Sequence, residues 1–257
     1  MNYTLMSCIA SFALFITIVT VSRFAYRIGR GRPDLVTTSS ESAGAVVGAV
    51  FALLGLLTAF TFSAAYSRLD TRRQLMVQEV NTIGTAYLRL DVLPNESQAQ
   101  LRKDFKAYTL SRFAFYQKLT EKEGALSELA HASELQQLIW SKAVSASSGT
   151  ENSSIRMLLL PALNEMIDIV TTRSVAIMAH PPLLIYAALA LISIACGGMI
   201  GYRASISEHS SRFYEIAFAL VMSFTLYLIL DIEYPRFGLV RLDNVNQLLF
   251  DLANTMK

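Results

Sequence analysis

The stretch GAVVGAVFALLGLLTAFTFSAAYSRLDTRRQLMVQEVNTIGTAYLRLDVLP, Gly44 to Pro94, decides the fold. From Gly44 through Ser67 it carries no charged residue, and at about 1.5 Å per residue such a run is long enough to cross the roughly 30 Å hydrocarbon core of a bilayer. From Arg68 the composition turns polar, yet no proline interrupts the stretch before Pro94. One seam with steps of four and three passes through both halves: Gly48, Ala52, Gly55, Ala59, Phe62, Tyr66, Leu69, Arg73, Met76, Val80, Ile83, Tyr87 and Leu90. That period belongs to a helix keeping one face on a neighbouring helix, and only Arg73 breaks it. The expectation is one helix of about 75 Å that leaves the membrane without a joint.

Outward from this helix, Tyr3 to Ser22 is a first charge-free run, followed by Arg23, Arg27, Arg30 and Arg32. A cleavable signal peptide would place its basic residues before a shorter apolar core, so this segment is expected to stay attached. Gly29, Gly31, Pro33 and the run Thr37 to Ser40 read as the loop before the long helix. After Pro94, Asn95 is a candidate cap for a helix whose Leu101, Phe105, Tyr108, Arg112, Phe115 and Leu119 again step by four and three, with Gly124 as its end. Two seams of one period joined by a short turn predict an antiparallel hairpin.

Ala125 to Val144 is a weaker amphipathic helix holding the single Trp140, and Ser145 to Ser154 is the most loop-like segment. Ile155 to Ala179 is apolar, but Arg156, Glu165, Asp168 and Arg173 recur along it at intervals that a lipid-facing span does not tolerate. It is placed outside the bilayer, kinked at Pro161 and broken by His180-Pro181-Pro182. Leu183 to Tyr202 and Phe213 to Leu230 are a third and a fourth span, and Asn244 to Met256 is an amphipathic tail.

The fold class read from this pattern is all-α, with four transmembrane helices and a helical extramembrane domain inserted between the second and third spans. Residues 1–66 form the first transmembrane hairpin (spans 3–22 and 44–66) and 67–182 the helical domain. Residues 183–232 form the second hairpin (spans 183–202 and 213–230), and 233–257 the tail.

Composition agrees: 53% of the 257 residues are hydrophobic and 16% charged, too apolar for an ordinary soluble domain. A formal charge of +2 gives no case for nucleic acid as a partner. Cys8 and Cys196 both fall inside apolar runs, and His131, His180 and His209 lie far apart without an i, i+4 ligand partner, which gives metal binding no local support. No phosphate loop, nucleophile elbow or His/Glu metal pair is present, so the chain reads as a non-enzyme without cofactor or metal.

Two groups of residues remain as candidate sites. Gly44, Gly48, Ala52, Gly55 and Ala59 form a small-residue face that admits another helix closely, as membrane helices require when lipid supplies no hydrophobic drive. Close packing is one reading of it. The other is a pore lined by a symmetric ring of these helices, with Phe51 or Phe62 as an apolar constriction. Eleven residues are close to three helical turns, which brings Phe51 and Phe62 within about 20° of one another. Asp231 and Glu233 stand beside Arg236 where the fourth span ends, the two carboxylates either attracting inorganic ions or pairing at the interface with Arg68, Arg72, Arg236 or Arg241.

The runs NTIGTAYLRLDVLP (Asn81 to Pro94), LPALNEMID (Leu160 to Asp168) and LDIEYPRFG (Leu230 to Gly238) resemble a family of bacterial multi-pass membrane proteins described as bestrophin-like. The resemblance covers most of the chain and implies four spans in the bacterial inner membrane. By analogy with true bestrophins, which are pentameric anion channels, it also implies ion conduction by a homo-oligomer. The acidic run that clasps calcium in bestrophins has no counterpart here. The alternative function is a non-conducting scaffold or sensor whose helical domain binds a partner. The arginines after the first span, with Arg203 and Arg212, put both short loops in the cytoplasm and the helical domain outside it, opposite to the bestrophin arrangement.

Overall fold

A computed structural model describes residues 3–31, 40–119, 121–148, 153–206, 212–235, 239–240 and 243–257. Eight α-helices account for nearly all of them: α1 (Tyr3–Gly31), α2 (Ser40–Leu88), α3 (Asn95–Gln117), α4 (Lys122–Ser148), α5 (Ser153–Met178), α6 (Leu183–Ala204), α7 (Arg212–Glu233) and α8 (Asp243–Thr255). No strand occurs among the described residues. Four stretches contain helix long and apolar enough to cross a membrane: Thr4–Gly31, Gly44–Val92, Ser153–Ala204 and Arg212–Glu233.

The long helix is continuous. α2 runs 49 residues without a break and tightens into a 3-10 turn, Arg89–Val92, before Pro94. Its buried stripe, however, is not the seam named above. Leu54, Thr61, Ala65, Leu69, Arg72, Met76, Glu79, Ile83, Ala86 and Leu90 are buried, whereas Arg73 and the membrane-half positions Gly48, Ala52, Gly55, Ala59, Phe62 and Tyr66 are exposed. The expected seam meets the buried stripe only from Leu69 onward. Below that point the small residues point away from the chain's own core.

Two compact units share α2: Met1–Leu69 with His180–Arg241, and Asp70–Ala179 with Leu242–Lys257. In the first, α1 packs on α6 and α7. The backbones of α1 and α6 approach closely because Gly197 and Gly201 present no side chain. A Cβ on Gly201 would stand 2.0 Å from the Ser22 carbonyl oxygen, and one on Gly197 would stand 2.6 Å from Ile18 Cγ2. The other side of α1 exposes Leu5, Ile9, Phe12 and Ile16, the large apolar residues expected against lipid. Cys8 and Cys196 are both free thiols.

The second unit is a helical bundle in which α3 packs on α4 and α8, and α4 on α5. Its core includes Ile83, Leu90, Leu101, Phe105, Tyr108, Ile139, Leu163 and Met166. Several local expectations change here. Pro94 rather than Asn95 is the N-cap of α3, and α3 stops at Gln117, so Gly124 lies inside α4. α4 continues to Ser148 and α5 begins at Ser153, so most of the expected loop Ser145 to Ser154 is helical. Pro161 sits within α5 without ending it. The amphipathic tail is α8, whose Leu249, Ala253 and Met256 are buried.

Candidate functional site

On the membrane half of α2 the small-residue face is open. A Cβ added at Gly48 or Gly55 would meet nothing within 4 Å, and one at Gly44 only the Arg203 guanidinium at 3.8 Å. Ala52 and Ala59 are exposed beside them, and Phe62 is 39% exposed. Phe51 behaves differently: its ring lies 5.5 Å from that of Phe218 on α7, in a tilted contact. The two phenylalanines, three turns apart, are therefore not equivalent. One is held within the chain and the other stands at the open face.

The charges at the end of α7 are held from several sides. Glu233 is fully buried and accepts hydrogen bonds from Arg68 Nε (3.0 Å) and Nη2 (2.7 Å), a two-point pairing that matches the guanidinium fork. His180 Nδ1 lies 3.0 Å from Glu233 Oε1, and the His180 ring stacks on Tyr234 at 4.7 Å. Asp231 does not join this group. Its carboxylate accepts the backbone N–H groups of Leu239 (3.0 Å) and Val240 (3.0 Å), pinning the chain that follows α7. Arg72 donates instead to the carbonyls of Ala176 (3.1 Å) and Ala179 (3.0 Å), satisfying acceptors that the end of α5 leaves open. Arg236, Arg241 and His209 lie outside the described residues. Among the described residues no group of three or more His, Cys, Asp or Glu could hold a metal ion.

A third cluster, in the second unit, was not anticipated. Glu79 is fully buried between two arginines: Arg112 Nε donates to it at 2.6 Å, and Arg173 Nη1 pairs with its second oxygen. The Tyr116 hydroxyl donates to the same carboxylate at 3.1 Å, and the guanidinium of Arg173 lies 4.0 Å over the Tyr116 ring. Burial works against the charge on Glu79, but the two guanidiniums outweigh it and hold the carboxyl below its ordinary value of 4.5. Burial pushes the phenols of Tyr108 and Tyr116 above their ordinary 10.0, so both stay protonated.

The signal for these residues was present but divided. Arg112 stands in an apolar seam, while Glu79 lies seven residues beyond Arg72 on a stripe parallel to the one through Gly48 and Leu69. Gly197 and Gly201 repeat the small-xxx-small spacing of Gly44 and Gly48, and they are the pair used inside the chain.

Comparison with solved structures finds the same fold in crystal structures of a bacterial bestrophin homologue from Klebsiella pneumoniae. One single-substitution variant superposes with a TM-score of 0.71 at 15% identity, covering 96% of this chain and 97% of the other. A second gives 0.70 at 15% identity with 96% and 98% coverage, and a third 0.69 at 16% with 94% and 98%. Comparison with curated protein sequences finds no match. The Bestrophin-like domain matches residues 10–244, nearly the whole chain, and the protein therefore belongs to the Bestrophin-like family.

Proposed function

We propose that this protein is a homo-oligomeric ion channel of the bacterial inner membrane, in which the second spans of identical subunits surround the conducting axis. One observation carries the reading. The chain buries one face of α2 and leaves the small-residue face, Gly48, Ala52, Gly55 and Ala59, uncovered. Lipid is a poor occupant for it. Where α1 is exposed it offers Leu5, Ile9, Phe12 and Ile16, whereas Gly and Ala at helical spacing are the residues by which membrane helices approach one another. Family membership supports the same reading, because true bestrophins are oligomeric channels.

In this arrangement residues 67–182 form a helical domain inserted between the spans 44–66 and 183–202. Phe62 supplies a ring of aromatic side chains at the axis that gates by excluding water, while Phe51, braced by Phe218, sets the position of α2. Glu233, neutralised by Arg68, is an interfacial structural charge rather than an ion ligand. The charge rule places the short loops in the cytoplasm and the helical domain outside it.

Purified protein reconstituted in liposomes tests the reading. Phe62→Ala is expected to raise basal ion flux above wild type, and Gly55→Leu to abolish both assembly and flux. Assembled protein that stays silent with either Phe or Ala at 62 would refute conduction and favour a non-conducting scaffold.

A further inference from the structure

Between α4 and α5 in the second unit lies a cleft of about 410 Å³ lined by Ser133, Gln136, Gln137, Trp140, Asn164 and Ile167. Its volume is in the range of small-molecule sites, roughly 300–1,000 Å³. Two packed helices usually close such a seam with aliphatic side chains. Here the positions one turn apart on α4, Ser133, Gln136 or Gln137 and Trp140, carry a hydroxyl, two carboxamides and the only tryptophan of the chain. A third carboxamide, Asn164, faces them from α5 with Ile167 one turn on.

From this set we propose that the cleft binds an uncharged planar heterocycle of nucleobase type. No lining side chain is ionised, so the site offers no attraction to a free phosphate or carboxylate. Each carboxamide presents a donor beside an acceptor, the two-point pattern that matches the edge of a base, and an indole face stacks on the plane of one. One of the three is already fixed. Gln136 Nε2 donates to the hydroxyl of Tyr108 at 3.0 Å, and Tyr108 is fully buried and held as the neutral phenol. That bond uses one N–H of Gln136 and immobilises its amide, leaving the remaining N–H and the carbonyl oxygen to a ligand without further ordering cost. Gln137 and Asn164 are exposed and able to complete the edge contacts.

Because Trp140 is the sole tryptophan, its emission reports on this cleft alone. Full-length protein in detergent is titrated with adenosine and with uridine, and separately with methyl glucoside. Equilibrium dialysis of radiolabelled adenosine and uridine covers binding that leaves emission unchanged. The proposal expects saturable binding of at least one nucleoside, weakened at least tenfold in Gln137→Leu and in Asn164→Leu, with helix content and elution volume unaltered. Adenosine monophosphate should bind no more tightly than adenosine. No saturable binding of either nucleoside by both methods, binding that both variants retain, or a response to methyl glucoside alone would overturn it.

Discussion

Replacing Glu79 by glutamine removes the one negative charge from a cluster that contains two buried guanidiniums. The side chains of Arg112 and Arg173 are 1% and 3% exposed, so neither reaches water to recover its hydration. Among the described residues Arg112 Nη1 already lacks a hydrogen-bond acceptor. Breaking a buried pair by deleting one partner costs about 3–5 kcal/mol, mostly from the charge left behind. Here one carboxylate serves two cations, which puts the expected cost at the upper end of that range. Glutamine keeps the shape and one acceptor, so the loss reports charge rather than a cavity.

Hydrogen exchange suits the measurement, because the chain has two units and one melting temperature would mix them. Protection of core amides in α3, α4 and α5 should fall by about two to four powers of ten, at 1.36 kcal/mol per factor of ten, while α1 and α6 are unchanged. The sign of the pH dependence follows from the lowered folded value of Glu79. Its contribution is complete above the unfolded value of 4.5 and is lost as pH falls through the lower folded value. The gap between wild type and Glu79→Gln should therefore be constant near neutrality and narrow below pH 4.5. Equal protection in the two proteins at pH 7, or a gap that widens on acidification, would refute this account of the cluster.

Other outcomes follow from close approaches and charge pairs. Gly201→Ala should destabilise the first unit by about 1–3 kcal/mol, since its Cβ would stand 2.0 Å from a backbone oxygen of α1. Gly55→Ala should leave that unit's exchange unchanged, because the position opens on empty space. Arg68→Gln removes the two-point partner of the buried Glu233, and loss of protection at the end of α7 should be partly restored in the Arg68→Gln/Glu233→Gln double variant. For orientation, Ser127 is exposed and serves as a labelling position. In a Cys8→Ser/Cys196→Ala background, a cysteine at 127 should react with an impermeant reagent in intact cells. Reaction only after lysis would reverse the assigned sidedness.

Most of the helices follow from composition and period. A charge-free run of sufficient length has few ways to satisfy its backbone in a bilayer except as helix, so the apolar stretches and the unbroken passage of α2 beyond Ser67 were readable from composition and period alone. Which face of α2 would be buried was not readable. Gly48, Ala52, Gly55 and Ala59 form a regular stripe, but so do Leu54, Thr61, Ala65, Leu69, Arg72 and Glu79, and a period ranks neither above the other. Only the positions of α3, α5, α7 and the residues they bring, from Arg112 and Arg173 to Phe218, select the second stripe. The same holds for charge. Arg112 and Arg173 are separated in the chain by 33 and 94 residues from Glu79, whose carboxylate they share, and no local pattern links the three. Gly197 and Gly201 show the same division: small-residue spacing announces that two helices can approach, and the tertiary structure decides that α1 is the partner here while the equivalent face of α2 is left open.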